Sequence, residues 1–294
     1  MQRLAEPSAQ ARTFATLMLL WLAGVALRLT ILAVPPVIPL IHDGLHLNAT
    51  QIGILTGLPS LLFAFAAVPG SLLIARLGVR AALVVGLAVN AIGGALRGAV
   101  PDVNWLYAMT IVMGAGVAVM QVTMPPAVRA WLPQRIAFTT AGYTNGLLIG
   151  EILPVALMLP MVLPMVGGSW QWGFVFWSVP VAVIALLILT VAPAPANAQA
   201  MTMRRRWWPD WNSSLIWRLG IMLGSTNATS FATNAFLGDY LASLGRSDLL
   251  GPAFAWLNGV QLLAPVILLV LANRFERRAW PFLLFGPLLL ASFL

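Results

Sequence analysis

The sequence predicts an all-α, polytopic membrane protein, and three observations carry that prediction. Hydrophobic residues make up 60% of the 294 and charged residues 8%, with a mean hydropathy of +0.91, far from the balance of a soluble domain. The apolar residues come in long runs, and a helix crossing the hydrocarbon core needs about 20 of them. At about 30 residues per span with its loop, the length allows about nine spans and not twelve.

Apolar runs between charged or turn-rich breaks place helices at 14–38, 50–74, 81–99, 104–126, 137–165, 173–193, 214–240 and 250–272. The first is not a cleaved signal peptide: its apolar stretch is long, contains Arg28 and Pro35-Pro36, and has no small-residue cleavage pattern behind it. A ninth run begins near 280 and reaches only Leu294. At 1.5 Å per residue it extends about 22 Å, short of the hydrocarbon core of about 30 Å. The expectation is therefore about eight complete spans plus a partial ninth, the chain stopping inside a span.

Arginine placement sets the orientation. With a cytoplasmic amino terminus, Arg3, Arg12, Arg76, Arg80, Arg129, Arg135, Arg204, Arg205, Arg206, Arg274, Arg277 and Arg278 lie inside, against Arg97 and Arg246 outside. The expected location is the plasma membrane, the inner membrane of a cell with two. The one long internal break, 194–213, holds Arg204-Arg205-Arg206 and Trp207-Trp208, the composition of a cytoplasmic linker with an interfacial anchor. It separates an amino-terminal six-helix bundle, 1–193, from an incomplete carboxy-terminal bundle, 214–294. The basic loop Ala75-Arg76-Leu77-Gly78-Val79-Arg80 returns as Asn273-Arg274-Phe275-Glu276-Arg277-Arg278, the pattern of a parallel-repeat transporter.

Several function classes fall away. The formal charge of +8 is scattered between apolar runs rather than clustered on a solvated face, so nucleic acid is not an expected partner. With no cysteine, disulfides, thiolate metal sites and cysteine nucleophiles are excluded. His42 and His46 have the spacing of a helical metal pair, but they lie in an outer loop beside Gly44 where helical geometry is not expected, so no metal is assigned. There is no HExxH, GxSxG or phosphate-cradling GxxxxGKS/T. Neither an enzyme nor a cofactor is expected.

The stretch Trp21-Leu22-Ala23-Gly24-Val25-Ala26-Leu27-Arg28, the segment from Pro39-Leu40-Ile41 to Ala49-Thr50-Gln51-Ile52-Gly53, and Leu58-Pro59 are followed by Pro125-Pro126-Ala127-Val128-Arg129 with Trp131, and by Thr140-Ala141-Gly142-Tyr143-Thr144. On these residues the chain resembles the major facilitator superfamily, and within it the cyanate and nitroimidazole transporter group. The resemblance implies a major-facilitator-type helical bundle, truncated in its second half, with helices one, four, seven and ten around the substrate path. It implies a gating loop at Arg76, Gly78 and Arg80, although the acid usual to that loop is replaced by Ala75. In helix five the proline of the antiporter signature is replaced by Glu151, so antiport is not expected.

Arg28 stands mid-span in helix one, where a charge costs about 2.5 to 3.5 kcal/mol unless it meets a cavity or a partner. Its fork of donors suits a small planar or linear anion, which makes it the leading substrate-binding candidate. The competing reading is a structural arginine paired with Glu151 or with helix-end carbonyls. Glu151, mid-span in helix five, is the proton-coupling candidate. At about 100° per residue, Thr140, Thr144 and Glu151 share one face of that helix, while Gly142, Gly146 and Gly150 form a packing stripe.

Asn227, Ser230 and Asn234 make helix seven too polar for a lipid-facing helix. With Gln121 on helix four, Tyr143 and Asn145 on helix five, and Asn258 and Gln261 on helix eight, they complete the substrate-binding candidates; for each amide an ordinary interhelical hydrogen bond competes. The expected function is secondary transport of a small anion or compact polar solute by alternating access, with a proton as candidate co-substrate and the bilayer as the other partner, a monomer being favoured. The alternative is a truncated membrane fragment, or a half-complex subunit, that does not transport without further helices.

Overall fold

The computed structural model describes residues 9–65, 67–193, 211–225, 244–246, 256, 263 and 267. These fall into two compact units, 9–193 and the described residues from 211 onward, each described by itself. Every regular element among them is helical. In the first unit these are α1 (Ala9–Leu32), α2 (Ile38–Leu45), α3 (Ala49–Phe65), α4 (Ala67–Leu96), α5 (Val103–Trp131), α6 (Ile136–Leu157), the short α7 (Leu163–Met165) and α8 (Trp170–Val191). The second unit contributes α9, Ser214–Ser225.

Among the described residues, five stretches are long and apolar enough to cross a membrane: Gln10–Leu45, Pro69–Leu96, Val103–Trp131, Pro133–Met165 and Trp170–Val191. The chain is thus a multi-pass membrane protein. The expected ninth span, nearly all of the eighth and most of the seventh lie outside the described residues, as does the linker from 194 to 210.

Proline and glycine explain where the helices depart from expectation. The first span does not end at residue 38. Pro35 and Pro36 lack the N–H that would continue α1, the chain makes a 3₁₀ turn at Pro35–Val37, and α2 resumes to Leu45. His42 and Asp43 are therefore helical, whereas His46 leaves the helix in the left-handed region at φ 51°, which takes it off the register of a helical metal pair.

The break expected at 75–80 shrinks to one residue. Gly78, at φ 79° and ψ 167°, holds a conformation essentially closed to residues with a side chain. α5 runs past Pro125-Pro126 to Trp131, because within a membrane bundle the neighbours satisfy the backbone groups a proline frees. The 137–165 run is not one α-helix: with Pro154 and Pro160 unable to donate, Met158–Val162 winds into a π-helical turn.

Side chains cap the loops. Asp102 accepts from Trp105 N at 2.8 Å, Ser169 Oγ from Trp172 N at 3.3 Å, and Asn48 and Gln51 cap one another reciprocally at the start of α3. α1 is the central helix, buried on nearly every side from Leu19 to Thr30. α6 lies along it, and α4 packs against α5 and α8.

Because lipid is as apolar as leucine, close backbone approach rather than hydrophobicity holds such helices together. α4 and α5 meet through Gly86, Gly93 and Gly116; a Cβ on Gly93 would stand 2.4 Å from Met113 N, and one on Gly116 2.4 Å from Asn90 N. Leu61, Phe65 and Leu186 are exposed on the surface of this unit.

Candidate functional site

Three glycines bring the site together. A Cβ on Gly24 would stand 2.2 Å from the Tyr143 carbonyl oxygen, one on Gly146 2.3 Å from that of Trp21, and one on Gly150 2.2 Å from that of Val25. α1 and α6 therefore touch backbone to backbone along this line. The stripe expected on helix five is corrected at one position: Gly142 faces open space, and the third member of the contact is Gly24 of the partner helix.

Arg28 follows Gly24 by one turn, and Glu151 follows Gly150 directly, so the contact delivers the two charges to the same level. Arg28 Nε lies 3.3 Å from Glu151 Oε1, with side chains 22% and 35% exposed. This is an ion pair by distance without hydrogen-bond alignment, for Nε has no acceptor. Neither Nη group hydrogen-bonds to a described residue. Phe63 of α3 covers one side of the guanidinium, its ring centroid 5.8 Å away, within cation–π range. The result is a half-open corner where three helices converge on a cation whose Nη donors are unspent among the described residues.

The remaining candidates sort by place. Asn145 is not free to offer its carbonyl to a solute, since Oδ1 accepts from Trp21 Nε1 at 3.1 Å. Tyr143 is half-buried against the core on α6. Thr144 Oγ1 turns back to the Thr140 carbonyl at 2.9 Å, an intrahelical bond that withdraws it from the polar face. Gln121 is exposed on α5. Asn227, Ser230, Asn234, Asn258 and Gln261 lie outside the described residues.

In the expected gating loop, Arg76 is exposed, Gly78 makes the turn, and Arg80 Nη2 donates to the Leu189 carbonyl near the end of α8. There a cation also complements the helix dipole.

Two aromatic members were not foreseen. Trp21 opens the Trp21–Arg28 stretch of the family resemblance and stands seven residues before Arg28 on the same helix face, but nothing local assigns it to Asn145. Phe63 carried no signal, because its contact joins two helices whose register no local pattern encodes.

Comparison with known proteins identifies the family. The family described as the Major Facilitator Superfamily matches residues 20–294. An uncharacterized transporter of Bacillus subtilis is 29% identical over 219 residues, which are 74% of this chain and 54% of that one. A 2-nitroimidazole transporter of Escherichia coli is 25% identical over 246 residues, 83% of this chain and 62% of the relative. A cyanate transport protein of the same organism is 23% identical over 164 residues, 56% and 42%. The chain thus spans between 42% and 62% of the length of these curated relatives. A proton:xylose symporter bound to 6-bromo-6-deoxy-D-glucose superposes with a TM-score of 0.56 at 13% identity, covering 95% of this chain and 57% of its own, which is a likeness of fold alone.

Proposed function

The chain belongs to the Major Facilitator Superfamily, and on that premise we propose that it serves secondary transport of a small anion or a compact polar solute, cyanate-like or nitroimidazole-like, by alternating access. One observation carries the reading. The Arg28 guanidinium is held in a corner by Glu151 and Phe63, yet among the described residues its Nη donors meet no acceptor, the condition of a cation open to a ligand. The relatives named for 2-nitroimidazole and cyanate transport support the solute class.

In this reading Arg28 binds the solute and Glu151 exchanges a proton. A proton arriving on the carboxylate releases Arg28 to a solute anion, and departure of the solute together with loss of that proton to the opposite side restores the pair. Gln121, Asn227, Ser230 and Asn234 are the further substrate-binding candidates, with Tyr143, Asn258 and Gln261 secondary. The amino terminus is cytoplasmic.

Uptake of radiolabelled cyanate and of radiolabelled 2-nitroimidazole into vesicles, compared between wild type and Arg28→Ala, tests the assignment. Loss of uptake is expected, and equal uptake overturns the role of Arg28. Glu151→Gln is expected to abolish uphill accumulation under a pH gradient while sparing exchange; continued accumulation makes Glu151 structural only.

A further inference from the structure

Arg97 is the largest fully buried side chain among the described residues, 1% exposed, and no carboxylate there pairs with it. A buried cation without an acid is costly unless acceptors are aimed at it, and the acceptors present are unusual. Nη2 donates to the Thr30 carbonyl at 2.6 Å, Nε reaches the Gly94 carbonyl at 3.5 Å, and the Phe174 ring lies 4.2 Å from the guanidinium carbon. In an unbroken helix the Thr30 carbonyl would accept from the Val34 N–H. At the proline break Val34 N turns instead to the Ile31 carbonyl, and Arg97 fills the place it leaves.

The grip continues along α4. Asn90 Oδ1 accepts from Thr30 Oγ1 at 2.7 Å, and Asn90 Nδ2 donates to the Ala26 carbonyl at 3.2 Å. Gly94 stands between, and a Cβ there would come 3.1 Å from Thr30 Cγ2 and 2.6 Å from Ser178 Oγ. Asn90, Gly94 and Arg97 are spaced as one face of a helix. At about 100° per residue, Arg28 points about 160° to 200° away from Ala26 and Thr30. α4 thus holds one side of α1 while Arg28 projects from the other, toward α6.

We propose that Arg97 and Asn90 are positioning residues, which lock the last turns of α1, Ala26 to Thr30, in the one register that presents Arg28 to Glu151. A slip of these turns by one residue, with α1 before them held by its glycine contacts with α6, would carry the Thr30 carbonyl and hydroxyl away from both and take from the buried guanidinium its shortest hydrogen bond. The proposed function supplies only the idea that Arg28 is the working group, and the test needs no transport.

The full chain contains no cysteine, so cysteine pairs can be introduced without background. One pair, Arg28→Cys with Glu151→Cys, reports the register beside the grip. A second, Trp21→Cys with Asn145→Cys, reports the same two helices farther from it. Cross-linking rates with a short bis-methanethiosulfonate are measured in membranes with Arg97 intact, Arg97→Ala or Arg97→Lys.

Arg97→Ala is expected to slow the 28/151 reaction about tenfold, as loss of a hydrogen bond from a charged group implies, and to leave the 21/145 rate unchanged. Arg97→Lys, which keeps a donor for Thr30, restores the first. An unchanged 28/151 rate, or an equal fall at both pairs, overturns the proposal. If Arg97→Ala does not reach the membrane, Asn90→Ala is read in the same way, a selective loss supporting the lock and no loss overturning it. A failure of cyanate uptake would leave this result untouched.

Discussion

Arg28 and Glu151 define the residue scale. Their contact is part-exposed and unaligned, so it holds less than a dry, bidentate pair would. A double-mutant cycle with Arg28→Ala and Glu151→Ala, read by thermal unfolding in detergent, is expected to return a coupling of about 1 kcal/mol, within the range of residues in contact. Zero coupling would mean that the two charges share a level without sensing one another. The Trp21–Asn145 bond is an ordinary interhelical hydrogen bond, and Trp21→Phe should cost about 0.6 kcal/mol, the average measured in membrane bundles. A much larger loss would show that Trp21 does more than hold Asn145.

The helix contacts make a sharper prediction at the scale of elements. Gly142 and Gly150 stand eight residues apart on α6, and sequence spacing assigns them to the same packing stripe. A Cβ at Gly150 would collide with the Val25 carbonyl, whereas one at Gly142 meets nothing. Gly150→Ala should therefore destabilise by about 1 to 3 kcal/mol through overpacking. Gly142→Ala should be neutral, or stabilising by up to about 1 kcal/mol, through helix propensity alone. Equal unfolding temperatures for the two variants would contradict the backbone contact of α1 with α6. Gly78 is held by conformation rather than space, and its positive φ sets the turn that places Arg80 against the end of α8.

For the whole molecule, topology is the property to test. The arginine distribution proposes that the α5–α6 turn is cytoplasmic and the α4–α5 turn external. In this cysteine-free chain, Val100→Cys should react with a membrane-impermeant maleimide in intact cells, and Gln134→Cys only after permeabilisation. The opposite pattern would invert the orientation.

Composition and apolar run length were sufficient to determine an all-α membrane protein, the approximate spans of its first half and the two charged residues worth watching. Those properties are local: a run of about 20 apolar residues forms a helix in lipid wherever its neighbours lie, and a mid-span charge is anomalous in any context. The tertiary structure alone decided which glycines touch, that Asn145 is occupied by Trp21, that Phe63 covers Arg28, and that Arg97, read from the sequence only as an outer-loop charge, is buried against the broken end of α1. Each depends on the relative rotation and slide of two helices distant in sequence. A period of 3.6 residues identifies a face, but the partner of that face is set by close backbone approach between helices, which no local pattern records.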